Sequence, residues 1–359
     1  MRKKGIISLS IVAVLGLYVG IEKSRASFSD TAGHWGADAI NKAIQLKVVD
    51  GYPDGSFKPE QSVSRAEFMK MTATALKLKL DSVEQGSGWY KAYVKALTDA
   101  GITRDRDFAT EDWNAPITRL EMSRIAVRAT DADLQKKEFN IDNASVMFNA
   151  TKTGLIQGLA NGELAVDGVT TRAQSVTIID RMLKKNAGET LPVDKYAASN
   201  AEIALRGTNF ETMYGKKSAL TLPVQHTLVG DVKMTIKEVL FYDSSDQASP
   251  VWSLLEKGLR VDEKGLENSY YFVYKVEYDM GDQPRGYAIL VEDYFRKTGW
   301  TTVYSAATAD RIMRTEVGKK EGYMIFALSK DMSDPDTQYN ALKYGSYKVN
   351  NEYFDMFVQ

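Results

Sequence analysis

Hydrophobic and polar positions change rhythm twice along the chain. Arg2, Lys3 and Lys4 precede a continuous apolar run from Ile6 to Ile21, and polar residues follow as far as Ser24-Arg25-Ala26. This three-part build predicts a secretory signal peptide over 1–26, with Ser27 as the mature start. The apolar run falls short of the roughly 20 residues a membrane span needs, and no later stretch predicts a transmembrane segment. From there to residue 185 apolar positions recur every three or four residues, as in Trp35, Ala39, Ala43 and Ile44, which predicts helices. Beyond residue 200 the rhythm becomes alternation. Val232, Met234 and Ile236 alternate with Lys233, Thr235 and Lys237, and Tyr271–Tyr278, Tyr323–Leu328, Tyr347–Val349 and Tyr353–Val358 read as further strands. Tyr323–Leu328 is apolar on both faces, as in a core strand, and a short helix is expected at Pro250–Lys257. Roughly seven strands in this half predict a β-sandwich. The polar stretch 186–200, with Gly188 and Pro192, predicts a linker between the two halves.

The helical half repeats. Arg65, Arg119 and Arg172 lie 54 and 53 residues apart, within Ser64-Arg65-Ala66-Glu67, Thr118-Arg119-Leu120-Glu121 and Thr171-Arg172-Ala173-Gln174. Trp35 and Trp89 are also 54 apart, and the turn Gly51-Tyr52-Pro53-Asp54-Gly55-Ser56-Phe57 returns in weaker form as Gly158-Leu159-Ala160-Asn161-Gly162-Glu163-Leu164. The units are 27–80, 81–134 and 135–185, each read as helix, loop, helix. In all three the second helix opens with a capping box, Ser or Thr followed three residues later by Glu or Gln. Its buried face is predicted as Phe68, Met69, Thr72 and Leu76, then Ile125 and Ala129, then Val176, Ile179 and Leu183. A helix pair this short buries little alone, so the three units should share one core.

The arginines do not fit a purely structural reading. Each sits at the first helical position, where the macrodipole disfavours a cation. They require anionic partners, either internal carboxylates or a bound ligand.

Composition narrows the chemistry. Lys and Arg total 46 against 47 Asp and Glu, a formal charge of −1, which excludes a polybasic surface for nucleic acid or membrane. With no cysteine and only His34 and His226, disulfides, thiolate catalysis and His- or Cys-rich metal sites are excluded, and no cofactor is implied. Asp50 and Asp54-Gly55 read as a turn and not as a calcium loop. No G-x-S-x-G, H-E-x-x-H or P-loop occurs. A carboxylate pair for glycoside hydrolysis is set in three dimensions, so a hydrolase in the C-terminal half stays open as the alternative to a non-enzymatic protein. Glu292-Asp293 and Glu321 read as solvated strand ends. Tyr270, Tyr271, Tyr287, Tyr294 and Tyr304 form either a recognition face or the two sides of a sheet.

Phe28-Ser29-Asp30, His34-Trp35, the 51–59 turn and Val63-Ser64-Arg65-Ala66-Glu67 together resemble the S-layer homology motif. The second unit keeps Trp89 and Ile117-Thr118-Arg119-Leu120-Glu121 without the Phe-x-Asp start or the Gly-Tyr turn. The third keeps Thr171-Arg172-Ala173-Gln174 and has Asp142 where spacing would put the tryptophan. The resemblance implies a protein of α + β multidomain class, with an N-terminal pseudo-threefold all-α bundle. It also implies non-covalent attachment to a Gram-positive cell wall through secondary cell wall polysaccharide, often bearing pyruvylated N-acetylmannosamine, and placement in the wall or S-layer beside other envelope proteins. Arg65, Arg119 and Arg172 would pair with the ketal carboxylate, Trp35 and Trp89 would pack on sugar faces, and Asp30 would bond hydroxyls. The plainer readings are core packing for the tryptophans and a helix cap for Asp30. Motif decay ranks Arg65 and Arg119 above Arg172. The strands of 201–359 are similar, more weakly, to telokin-like, immunoglobulin-like domains of secreted bacterial proteins.

Overall fold

A computed structural model describes residues 28–136, 138–252, 268–297, 300–303, 311–331, 342–343 and 345–358. The expected leader 1–26, Ser27 and Tyr304 lie outside them. Among the described residues no helix is long and apolar enough to cross a membrane. The chain is an α + β protein, helical first and then built on antiparallel sheets.

Each helical unit contributes two main helices: α1 Ala37–Gln45 and α2 Arg65–Ala75, α3 Lys91–Asp99 and α4 Arg119–Thr130, then, after the short α5 Ala132–Gln135, α6 Asn143–Lys152 and α7 Arg172–Asn186. All three capping boxes form. Ser64, Thr118 and Thr171 accept the amides of Glu67, Glu121 and Gln174, whose side chains return the bond to the cap amide. The predicted faces of α2, α4 and α7 are buried in one core, with Leu76 and Leu183 at its edge. The first helices differ from expectation. Helix α1 starts at Ala37 and α3 at Lys91, so Trp35 and Trp89 precede their helices, and Ile40, Ala43, Ala92 and Leu97 supply the buried face.

The segments leading into α2, α4 and α7 close on one another through backbone hydrogen bonds. Val63 donates its N–H to Thr170, Thr170 to Ile117, and Ile117 back to Val63, at 2.9–3.0 Å. The first two amides of each helix are satisfied around the same ring: Arg65 and Ala66 by Ala115 and Trp113, Arg119 and Leu120 by Gly168 and Val166, Arg172 and Ala173 by Gln61 and Pro59. With the third amide capped, these helix N-termini have no free donors to offer an anion.

The stretch expected as a linker is largely folded. Asp194 caps α8 Lys195–Arg206, and its Oδ1 accepts the amides of Tyr196 and Ala197 at 3.0 and 3.1 Å. Ala197, Ala198 and Ala201 are buried. At the C-terminal end of α8, buried Glu202 accepts the Glu211 and Thr212 amides of α9 Phe210–Tyr214 at 2.9 and 2.8 Å. Burial pushes this carboxyl above its ordinary value, although both amides oppose the shift.

Strands β1 Val224–Val229, β2 Val232–Asp243, β3 Ser269–Asp279, β4 Ile289–Leu290, β5 Phe295–Lys297, β6 Thr301–Val303, β7 Arg311–Ile312, β8 Lys319–Ser329, β9 Ser346–Val349 and β10 Glu352–Asp355 form three antiparallel sheets. Their orders are β1-β2-β3-β8-β6, β10-β9-β5 and β4-β7. Phe272, Tyr274 and Phe326 of the large sheet pack on Phe295 and Tyr347 of the second. Its other face carries Tyr242, Tyr271, Val273 and Ile325 against Val251, Trp252 and Ile203 of α8. Strand β8 is therefore apolar on both sides, as its sequence predicts. Tyr271 is buried, Tyr270 and Tyr294 half-buried and Tyr287 exposed; only Tyr270 and Tyr271 lie on a strand, on opposite faces of β3, so these four described tyrosines form no single face. The predicted helix at Pro250 starts there and is described to Trp252.

Lys297 of β5 is only 2% exposed. Its Nζ donates to the Ser346 carbonyl at 3.3 Å and lies 4.8 and 5.1 Å from the ring centres of Phe272 and Trp300. Burial lowers its pKa to about 7.

Candidate binding grooves between the helical units

The weak turn at 158–164 folds like the Gly-Tyr turn at 51–57. Tyr52 N–H bonds Ser56 and Gly55 N–H bonds Tyr52 in one, at 2.8 and 3.0 Å. Leu159 N–H bonds Glu163 and Gly162 N–H bonds Leu159 in the other, at 2.9 and 3.1 Å. Each turn presents two carbonyls that capture an arginine from another unit. Arg172 Nε and Nη2 donate to Phe57 and Asp50 at 3.0 and 2.9 Å. Arg119 Nε and Nη2 donate to Leu164 and Gln157 at 2.9 and 2.8 Å.

Beside each pair opens a groove. One, of about 300 Å³, holds Trp35, Arg119, Gly158, Gln174 and Arg181; the other, of about 340 Å³, holds Trp89, Tyr52, Glu67, Lys70 and Arg172. Each thus mixes three units. Trp35 is 63% exposed, which removes the core-packing reading for it, and Trp89 is half-buried against Tyr90 and Tyr93. Arg172 thus lies beside Trp89 and Arg119 beside Trp35, so a ranking by single unit does not map onto single grooves.

The electrostatics of the first groove stand out. Arg119 is 5% exposed and bonds only carbonyls. Arg181 donates to the Gln157 side chain at 2.8 Å. Among the described residues neither guanidinium forms an ion pair, and burial lowers both pKa values, with the charge of Arg181 adding to the effect on Arg119. Glu163 and Asp180 act on them only at a distance and oppose the shift; two like charges without a direct ion pair raise the local positive potential and favour an anion. In the second groove Arg172 lies 5.0 and 4.6 Å from the ring centres of Tyr52 and Phe57.

The third junction is built differently. Arg65, 7% exposed, donates to Glu121 at 2.6 and 3.2 Å, to Thr110 Oγ1 at 3.0 Å, and to the carbonyls of Thr110 and Asp112 at 3.2 and 3.1 Å. Asp142, in place of a tryptophan, caps α6 by accepting Ser145 N–H at 2.7 Å. The anion for Arg65 is an internal carboxylate. Asp30 is likewise engaged by the protein, accepting the amides of Phe57 and Lys58 at 2.9 and 2.7 Å and so holding the 51–57 turn. Desolvation opposes ionisation of Asp30, yet these bonds outweigh it and keep the carboxyl below its ordinary value. It is a turn clamp and not a helix cap.

Asp54 Oδ1 accepts the Ser56 amide at 3.0 Å, a local turn, and among the described residues no group of acidic or histidine side chains is arranged to hold a metal ion. His226 is half-buried, 3.1 Å from Tyr347 Oη, and burial lowers its pKa. Sequence reasoning missed Arg181, although Gln174, Thr177 and Arg181 fall at helical spacing on α7 and mark one polar face of it.

Residues 27–69 match the S-layer homology domain. The chain is 31% identical over 186 residues to Exoglucanase XynX of Acetivibrio thermocellus, covering 46% of this chain and 17% of that protein. It is 28% identical over 133 residues to S-layer protein sap of Bacillus anthracis, 35% of this chain and 16% of that one. It is 30% identical over 122 residues to the cellulosome-anchoring protein of A. thermocellus, 31% and 27% respectively. The chain thus carries an S-layer homology domain, the mark of a cell-surface, wall-associated extracellular protein. It spans under a third of the length of each of these relatives.

Proposed function

We propose that residues 27–185 are three S-layer homology motifs that anchor the protein non-covalently to secondary cell wall polysaccharide, and that 201–359 is a non-enzymatic domain displayed from that anchor. In this reading two grooves bind. Trp35 with Arg119 and Arg181, and Trp89 with Arg172, each offer an aromatic wall beside a cation, which suits a sugar bearing a carboxylate such as a pyruvate ketal. The observation that carries it is the pair of buried Arg119 and half-buried Arg181, both bonded to Gln157, with no ion pair among the described residues and opening beside an exposed tryptophan. Arg65 and Asp30 then act in the scaffold and not on the ligand. The names of the S-layer and cellulosome-anchoring relatives agree with an anchoring role.

For the C-terminal region we propose an immunoglobulin-like sandwich serving binding or structure. Glu277 and Glu321, two of the acidic residues on the five-stranded sheet, are both bonded to Lys237, and Glu277 also pairs with Lys319 at 3.0 Å. These bonds hold Glu277 below its ordinary pKa, the opposite of what a general acid needs. Titration calorimetry of the exported chain with a pyruvylated wall fragment and its depyruvylated counterpart tests the proposal. Binding of the first and loss with the second is expected; equal binding of both would overturn the carboxylate reading.

A further inference from the structure

The two grooves rest on turns of the same shape, but the turns are held by different parts of the chain. The 51–57 turn is held from its own unit: Asp30 takes the Phe57 and Lys58 amides, and the Phe28 ring lies where a Cβ on Gly51 would fall, at 2.1 Å. The third unit has no Phe-x-Asp start to do this for 158–164. Its turn is held by α8 instead. Asp194 Oδ2 accepts the Gly158 amide at 3.1 Å, and Asn200 Nδ2 donates to Gly162 and Asn161 carbonyls at 2.9 and 3.3 Å. The contact is close. A Cβ on Gly158 would meet that of Ala197 at 3.1 Å, and one on Gly162 would lie 2.5 Å from the Tyr196 carbonyl carbon and 2.6 Å from the Ala197 nitrogen.

The other side of this turn supplies the Gln157 and Leu164 carbonyls that orient Arg119. We infer that α8, outside the three repeats, is a structural part of the Trp35 groove, with Asp194 and Asn200 as positioning residues for Arg119. The inference rests on the proposed wall-binding role of the grooves. Through α8 the groove is also tied to the sheets, since Ile203 packs on their broad face and Tyr196 Oη donates to Asp246 at 2.6 Å. Ligand binding at this groove therefore depends on a helix that leads into the β-rich domain, and binding at the Trp89 groove does not.

Asp194→Asn separates the roles of the two carboxylate oxygens. Asn caps a helix as well as Asp, so the α8 bonds to Oδ1 survive while the acceptor for Gly158 becomes a donor. The full exported chain is compared with and without this change in two backgrounds, Trp89→Ala and Trp35→Ala, by calorimetry with pyruvylated N-acetylmannosamine. Affinity should fall about tenfold in the first, where only the Trp35 groove is left, and stay unchanged in the second. An unchanged affinity in the Trp89→Ala background, or equal losses in both, would overturn the inference. Amide exchange tests the clamp without any ligand: Gly158 and its turn should exchange at least tenfold faster in Asp194→Asn, with Tyr52 and Gly55 unaffected. A protected Gly158 amide would overturn it. If no form binds the sugar, the wall-binding reading fails, and the exchange result alone decides the clamp.

Discussion

Arg172 and Arg119 on one side, and Arg65 on the other, start from the same position at the head of a capped helix and end in different surroundings. The first two are caught by turn carbonyls, which accept hydrogen bonds without neutralising charge, so the guanidinium keeps its positive field beside a groove. The second unit has lost its Gly-Tyr turn, and Arg65 reaches the Glu121 carboxylate as well as the loop carbonyls of Thr110 and Asp112. The lesson is that the acceptors around each arginine, and not the arginine itself, separate the two proposed binding junctions from the structural one. Neutral acceptors leave a cation available to a ligand; a carboxylate uses it up.

The strongest way to test this difference is to remove the carboxylate. Glu121→Ala leaves Arg65 buried and unpaired and should destabilise the helical bundle by about 3–5 kcal/mol in chemical denaturation. A change under about 1 kcal/mol would mean the pair is not structural. Arg119→Ala in the Trp89→Ala background should weaken sugar binding by about tenfold or more, since a charge-assisted bond is worth roughly 1.5–3 kcal/mol, with little loss of stability. Arg172→Ala should do the same in the Trp35→Ala background. A loss of fold without a loss of affinity would reverse the assignment.

A buried cation of the β-rich region extends the comparison. Lys297 has a carbonyl and two rings for company, and its folded pKa, lowered to about 7, lies below the unfolded value. The unfolded chain therefore binds more protons between the two values, so stability rises with pH from about 7 towards 10 and its penalty is fully present below 7. With the aromatic contacts offsetting part of the burial, Lys297→Met should raise stability by about 2 kcal/mol at pH 6 and by much less at pH 9.5. Equal gains at both pH values would place the effect in packing. The smallest expected effect is that of Asp142→Trp. It removes a cap worth about 1 kcal/mol and should add no sugar affinity, because Arg65 stays bound to Glu121. A gained site would show that the tryptophan alone makes a groove.

Much of the helical half is legible from local signals. The capping boxes at Ser64, Thr118 and Thr171 and the apolar stripes of α2, α4 and α7 depend on residues three or four apart, and they form as read. The alternation at the start of β2 and the apolar run of β8 are local in the same way. What the sequence does not disclose is which unit meets which. The anion of Arg65 lies 56 positions away on Glu121, and the support for Gly158 lies 36 away on Asp194. Helix α8 was hidden because Gly188 and Pro192 dominate the reading of 186–200, whereas Asp194 and the alanines after it are the better guide. Lys297 carried a signal: alternation in Phe295-Arg296-Lys297 puts it on the same inward face as Phe295.

The three backbone bonds linking residues 63, 170 and 117 form a cycle, with each segment donating to one neighbour and accepting from the other. An open stack of repeats always has two ends and can be lengthened. A cycle has none, so it sets its own number: a fourth unit finds no vacant donor or acceptor, and removing one leaves one of each unmatched. Such a ring can be cut and rejoined between any two units without changing a contact within it. Domain length is then fixed by closure, and any residues that follow the last repeat, as α8 does, must attach to the outside of the circle.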